Sequence, residues 1–254
     1  MDALAEAEVA VRKVEGMYPD GFAELLANNH QRMTWQVAQV LDLAPVGSTV
    51  IDLGAGAAPF MAACQVLGYN TIVADDYKDE YYADREMASV ITTFRELGVT
   101  VKEGDIFEPN FADDLPPLDV VTSHDSLEHW HNSPKTLLHT LWARMTDTGV
   151  MWIGAPNSAN LRKRIAGPLG KAKWSAMADW YEQPVFRGHV REPDVEDLRY
   201  IGEDLGARKI RIDGRNWIAH RHRKEAIRRV APTLDRVLAS TPSLCTDLYL
   251  YAYK

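Results

Sequence analysis

The sequence predicts an α/β protein with a doubly wound, mostly parallel sheet, an antiparallel edge strand and an inserted helical lid. Three observations support this class. Short apolar runs of β type alternate with stretches of helical spacing from about residue 49 onward, the pattern of βαβ units. The first run, TVIDLG (49–54), ends in a glycine turn that opens a helix. The last two runs, RKIRIDG (208–214) and LCTDLYLYAY (244–253), are rich in β-formers and separated by a helical insertion, which suggests an antiparallel edge.

Residues 1–48 read as helical with a break at YPDG (18–21), an N-terminal segment packing on the core. Within it, HQRMTWQVAQVLDLAP is expected beside the first strand. The remainder, 49–254, reads as one domain. After TVIDLG come NTIVADD (70–76), VTVKEGD (99–105), LDVVTS (118–123) and GVMWIGAP (149–156) as strands, which with the two late runs makes seven. The helices between them bury one face each. Those faces are Phe60, Ala63, Cys64 and Leu67; then Met87, Val90, Ile91, Phe94 and Leu97; then Leu137, Leu138, Leu141, Trp142 and Met145. EPDVEDLRYIGEDLG (192–206) is helical, with Pro193 suited to a first turn. Residues 157–190 fit no sheet element and read as the lid, carrying LRKR (161–164), Trp174, Trp180, Tyr181 and Phe186.

Composition narrows the function. With 46% hydrophobic and 25% charged residues in 254, the chain is an ordinary globular one. Its formal charge of −8, 36 acids against 28 basic residues, argues against general nucleic-acid binding, which needs a basic face for phosphates. A small-molecule or glycan substrate is the better expectation, and oligomeric state is left open. Cys64 and Cys245 stand far apart in apolar contexts and read as buried reduced thiols. No run approaches the ~20 apolar residues of a membrane span. The opening MDALAEAEVAVRKVEG lacks a secretory signal pattern, so a cytoplasmic protein is expected.

The chemistry gathers at strand ends. In VIDLGAGAAPF (50–60), Gly54 and Gly56 permit a tight turn and close approach of a ligand, and Pro59 suits the first turn of the next helix. The second strand ends in Asp75 and Asp76, where a carboxylate can accept both hydroxyls of a ribose. The third ends at Asp105. Any one of these acids can also serve as a helix cap or a solvated strand end.

VIDLGAG, Asp75, GDIF, DVVTSHDSLEH and GVMWIGAPN, in this order, resemble the successive motifs of class I S-adenosylmethionine-dependent methyltransferases over about residues 48–156. The resemblance implies their Rossmann-like seven-stranded fold and S-adenosylmethionine as methyl donor. By position it implies that Asp52, Gly54 and Gly56 line the methionine part of the cofactor. Asp75 would hold the ribose, with Asp76 as the alternative; Asp105 and Ile106 would meet the adenine, and Ser123 the neighbourhood of the sulfonium. The family's third glycine is replaced by Ala58. A nicotinamide dehydrogenase would favour G-x-G-x-x-G, where this chain has Pro59.

TSHDSLEHW (122–130) follows the fourth strand. Asp125, Glu128 and His129 stand at i, i+3 and i+4, one face of a helical turn if a turn begins after Ser123. Two carboxylates and an imidazole so placed call for a cation, and oxygen-rich ligation favours Mg²⁺ or Mn²⁺. His189, where the lid rejoins the core, is the expected fourth ligand. The set resembles the acid-x-x-Glu-His plus distant His of a metal-dependent O-methyltransferase subset, which includes small-RNA 2′-O-methyltransferases and some ubiquinone-pathway enzymes. Related enzymes also keep Leu-Glu-His without metal, as caps or hydrogen-bond partners. A metal lowers the pKa of a bound hydroxyl, so the expected reaction is O-methylation of a sugar diol or catechol-like group. Glu128 and His129 are the central catalytic residues, and His129 or His124 the proton acceptor. HRHRKEAIRR (220–229) reads either as a phosphate or RNA contact or as the outer face of a helix burying Ile227, Val230 and Leu234.

Overall fold

The computed structural model describes residues 2–78, 86–171, 177–182, 184–217 and 225–254. Its strands are β1 (Thr49–Leu53), β2 (Asn70–Asp75), β3 (Thr100–Glu103), β4 (Leu118–His124), β5 (Met145–Pro156), β6 (Lys209–Arg215) and β7 (Asp247–Tyr253). They form one seven-stranded sheet in the order β3-β2-β1-β4-β5-β7-β6. β2 and β4 flank β1 in parallel, β3 continues in parallel from β2, and β6 runs antiparallel to β7. The sequence of strands therefore reverses direction between β1 and β4, the switch point at which open α/β sheets bind ligands. Residue contacts divide the chain into two compact units, 1–123 with 137–150 and 124–136 with 151–254.

In the first unit, α1 (Ala3–Glu15) and α2 (Ala23–Leu43) both pack on α3 (Pro59–Val66). This covering explains why Phe60 through Cys64 are buried all round rather than on one face. The YPDG break holds Tyr18, whose hydroxyl donates to the Ala57 carbonyl at 2.6 Å and whose ring meets Phe22 and Phe94 edge-on. α4 (Met87–Leu97) buries Met87, Val90 and Phe94 of its expected face, while Ile91 and Leu97 are half-buried. α5 (Lys135–Arg144) buries Leu137, Leu138 and Leu141. β5 begins at Met145, earlier than the run from residue 149 suggests. The cause is Asp119, which accepts from the Thr49 amide at 2.9 Å and from the Thr146 hydroxyl at 3.0 Å, tying the polar start of β5 to the sheet.

The second unit is built on β6 and β7, with Leu248 through Ala252 of β7 fully buried. Trp152 stacks on Tyr251 at 5.4 Å. Where β5 ends, the Asn157 amide nitrogen donates to Thr246 and its side chain to Cys245, both at 2.8 Å, which pins the exit of the chain into the inserted segment. There Asn160 caps the short α6 (Leu161–Ala166) by accepting from the Lys163 amide at 3.0 Å. α7 (Met177–Tyr181) leaves Trp180 and Tyr181 exposed, Phe186 is half-buried, and Trp174 lies outside the described residues. α8 (Val195–Asp204) starts two residues later than Pro193 suggests. Asp194 takes the N-cap and closes a capping box with Asp197, so Pro193 precedes the helix instead of entering its first turn. In α9 (Glu225–Ala239) Val230 is 54% exposed and Ala231 is fully buried, so the inward face does not run through Val230. His220 and His222 lie outside the described residues. Cys64 and Cys245 are both free and buried.

Candidate active site

The turn after β1 places two glycines in the left-handed region, Gly54 at φ 63° and Gly56 at φ 51°, where a Cβ would strain the backbone. Ala58, standing at the missing third glycine, also has positive φ, 27°. The loop is braced from β2. The Ala74 carbonyl accepts from the Gly54 amide at 2.8 Å. The Asp75 carboxylate accepts from the Gly56 amide on one oxygen and the Tyr77 amide on the other, each at 2.7 Å. An ionised carboxylate has about four lone-pair sites, so Asp75 retains acceptor capacity for hydroxyls.

The other strand-end residues differ in environment. Asp76 is exposed and accepts from the Lys78 amide at 3.0 Å, a local turn contact. Asp52 is buried and lies 2.7 Å from the Thr122 hydroxyl, fastening β1 to β4. Asp105 is exposed and accepts from the Phe107 amide at 2.9 Å, while Ile106 beside it is buried. Ser123 is 1% exposed, and its hydroxyl has no hydrogen-bond partner among the described residues. A buried hydroxyl left without a partner costs free energy unless a ligand satisfies it. The glycine loop, Asp75 and that hydroxyl suit a nucleoside cofactor.

The second unit holds the acid and histidine cluster. β4 runs on through His124, whose ring meets Trp152 edge-on at 4.2 Å and Tyr249 at 5.6 Å. Asp125 then turns the chain at φ 52°, its amide donating to the Gly154 carbonyl at 2.9 Å. Only Leu127–His129 forms a helical turn, and it is of the tight 3₁₀ type. The expected alignment of Asp125 with Glu128 and His129 on one helical face therefore does not form, because Asp125 lies before the turn in a left-handed conformation.

Glu128, His129 and His189 do come together: one candidate ligand atom from each lies within 4.8 Å of the others. Nε2 of His189 is 4.0 Å from Oε1 of Glu128, and the two imidazoles stand 4.9 Å apart, nearly perpendicular. Backbone contacts hold the pieces. The Glu128 carbonyl accepts from the Val190 amide at 2.7 Å, and His129 Nδ1 donates to the Arg187 carbonyl at 2.7 Å. Glu128 itself is 1% exposed. Burial, then the neighbouring His129, hold His189 below the usual histidine pKa, with Asp125 pulling the other way. A neutral ring keeps the lone pair a metal needs. One carboxylate and two imidazoles fit a divalent transition ion; without Asp125 the donor set suits Mn²⁺ better than the oxygen-seeking Mg²⁺.

Sequence reasoning missed Glu192 and Lys163. Glu192, 4% exposed, accepts from His189 Nδ1 at 2.8 Å and pairs with Lys163. His-x-x-Glu spacing at 189–192 was the available signal. Of LRKR (161–164), Lys163 turns inward to Glu192 while Arg162 and Arg164 are exposed.

The model of a family described as methyltransferase domain matches residues 22–212. No curated protein matches the chain. Among solved structures, a SAM-dependent methyltransferase from Archaeoglobus fulgidus superposes with TM-score 0.52 at 20% identity, covering 87% of this chain and 92% of that one. Magnesium protoporphyrin IX methyltransferase from Synechocystis, with bound SAH, gives 0.56 at 16% identity, covering 96% and 93%. The small RNA methyltransferase HEN1 gives 0.54 at 14% identity, covering 88% of this chain and 25% of that one. At these identities the likeness is one of fold.

Proposed function

This chain belongs to the methyltransferase-domain family, and on that premise we propose that it is an S-adenosylmethionine-dependent O-methyltransferase assisted by a divalent ion. The proposed acceptor is a hydroxyl of a sugar, glycan, or other small diol or catechol. The observation that carries the metal and O-specific part is the convergence of Glu128, His129 and His189 within 4.8 Å.

The methyl donor supplies an electrophilic carbon on a sulfonium; the acceptor oxygen takes that carbon and the sulfur keeps the bonding pair. The residues proposed to seat the donor are Asp75 at the ribose, Asp52, Gly54 and Gly56 along the methionine part, Asp105 and Ile106 at the base, and Ser123 through its unsatisfied hydroxyl. A divalent ion supplies acidity to a hydroxyl and a fixed direction for it. Glu128 gives the ion's site its negative charge. His129 and His189 present Nε2, because Nδ1 of each is committed to an acceptor. A neutral imidazole has one free lone pair, so His129 either ligates or takes the acceptor's proton. His124, packed between Trp152 and Tyr249, is the other histidine proposed for the proton.

The test is methyl transfer to a panel of diols, catechols and simple alcohols, with Mn²⁺ and with excess EDTA. Transfer restricted to vicinal oxygens and abolished by EDTA supports the reading. Full turnover in EDTA removes the metal, and transfer to amines alone removes O-methylation. Methylation of a terminal RNA ribose would use the same chemistry, but the net charge of −8 disfavours it.

A further inference from the structure

We infer that Glu192 is a positioning residue that fixes His189 for metal binding, and that Lys163 of the inserted segment holds Glu192 in place. This rests on the metal reading above. Glu192 is almost fully buried, yet no helix needs it: α8 is capped by Asp194 and Asp197. Its two oxygens are divided between two partners, Oε1 to His189 Nδ1 at 2.8 Å and Oε2 to Lys163 Nζ. A carboxylate oxygen only accepts, so His189 Nδ1 carries the proton and Nε2 bears the lone pair. Nε2 is the atom that faces Glu128.

Removing the carboxylate would free the ring to rotate or to move its proton to Nε2, and either change removes the ligand. Carboxylate support of a ligating imidazole tunes metal affinity by about 10- to 100-fold in other proteins. Lys163 matters because a buried carboxylate without a cation is costly. It comes from α6, so a residue of the insertion is tied through Glu192 to the proposed metal ligand. The amides of Val190 and Arg191 both point at the Glu128 carbonyl, which keeps the stretch between His189 and Glu192 in register with the cluster.

The test combines two readouts on the full chain. Long-range ¹H–¹⁵N spectra of histidine-labelled protein report the His189 tautomer without any metal. Electron paramagnetic resonance titration reports Mn²⁺ affinity. The expected results are an Nδ1-protonated His189 in the wild type and a Mn²⁺ Kd weakened about 10- to 100-fold in Glu192→Ala. Glu192→Gln, which keeps an acceptor, should preserve the tautomer and recover part of the affinity. Lys163→Met should shift both readouts in the direction of Glu192→Ala. A wild-type His189 protonated on Nε2 overturns the inference, as does a Glu192→Ala variant that binds Mn²⁺ within about twofold of wild type. Absence of Mn²⁺ binding in the wild type instead sinks the metal reading, and the tautomer alone then decides whether Glu192 positions the ring.

Discussion

His129 Nδ1 donates a hydrogen bond to the Arg187 carbonyl oxygen at 2.7 Å, across 58 positions of chain. That bond anchors the ring of His129 in the cluster it shares with Glu128 and His189, while Asp125, two residues beyond the end of β4's buried stretch, stands outside the group.

The three clustered residues and Asp125 should therefore respond differently. Glu128→Gln and His189→Gln should each weaken Mn²⁺ binding by at least about tenfold, since each removes a ligand from a small set. Asp125→Asn should change it by less than about threefold, the scale of a surface charge acting at a distance. Calorimetric titration of the four proteins checks this. Loss of binding in Asp125→Asn equal to that in Glu128→Gln would restore the four-ligand site. His129→Gln separates two roles: lost Mn²⁺ binding makes His129 a ligand, whereas kept binding with lost turnover makes it the base.

The two acids at the end of β2 should separate in the same way. Asp75 is half-buried and braces the glycine loop through both oxygens; Asp76 is exposed and only stabilises its own turn. Asp75→Asn is expected to weaken adenosylhomocysteine binding by about 1.5–3 kcal/mol, the worth of hydrogen bonds to a charged acceptor. Asp76→Asn should leave it within about threefold. Equal losses would mean that the loop, rather than the ribose contact, sets affinity.

The fold was legible because strand and helix periods alternate cleanly from Thr49 onward, and because Gly54 and Gly56 mark the first turn. Asp75 could be picked out for the same reason, since a strand end has a fixed place in the sheet. The cluster was legible only in part. Glu128 and His129 follow from residue type and local spacing and His189 from the family resemblance, but whether Asp125 joins them depends on a single backbone angle, which local pattern does not encode. Glu192 and Lys163 were hidden because their pairing lies across 29 positions and within a segment of no clear period. Pro193 misled for a different reason: its fitness for a first turn is real, but the side chain of Asp194 competes for the same helix start and wins by satisfying two amides.

Gly154 should tolerate no side chain. A Cβ placed there would lie 2.5 Å from Tyr249 Cε1 and 2.8 Å from His124 Cδ2. Both rings are hemmed in, His124 by Trp152 and Tyr249 by Trp217, whose indole nitrogen donates to the Tyr249 hydroxyl at 2.8 Å. Neither can move away cheaply, so Gly154→Ala should cost about 1–3 kcal/mol or more in chemical denaturation, as overpacking of a filled core does. A variant as stable as the wild type would show that these rings rearrange freely, and would remove the case for a fixed His124.

Stability of the N-terminal helix pair should depend on pH through His30. Its Nδ1 lies 2.7 Å from Glu15 and its Nε2 2.8 Å from Glu8, so both ring nitrogens face carboxylates and both carry protons in the paired state. Burial pulls its pKa down, but the hydrogen bonds to Glu15 and Glu8 outweigh burial and raise it above the usual histidine range. A raised folded pKa means that the stabilisation is fully present below the ordinary histidine value and is lost as pH rises through the raised one. Glu8 works from the other side. Burial alone would raise its pKa, yet His30 and Thr34 hold it below the usual range, so its contribution fades as pH falls through that lowered value. The melting temperature should therefore decline as pH rises from the ordinary histidine pKa, about 6.5, through the raised one. His30→Gln, which cannot carry the charge, should lack that slope. The same decline in both proteins would place the titrating group elsewhere.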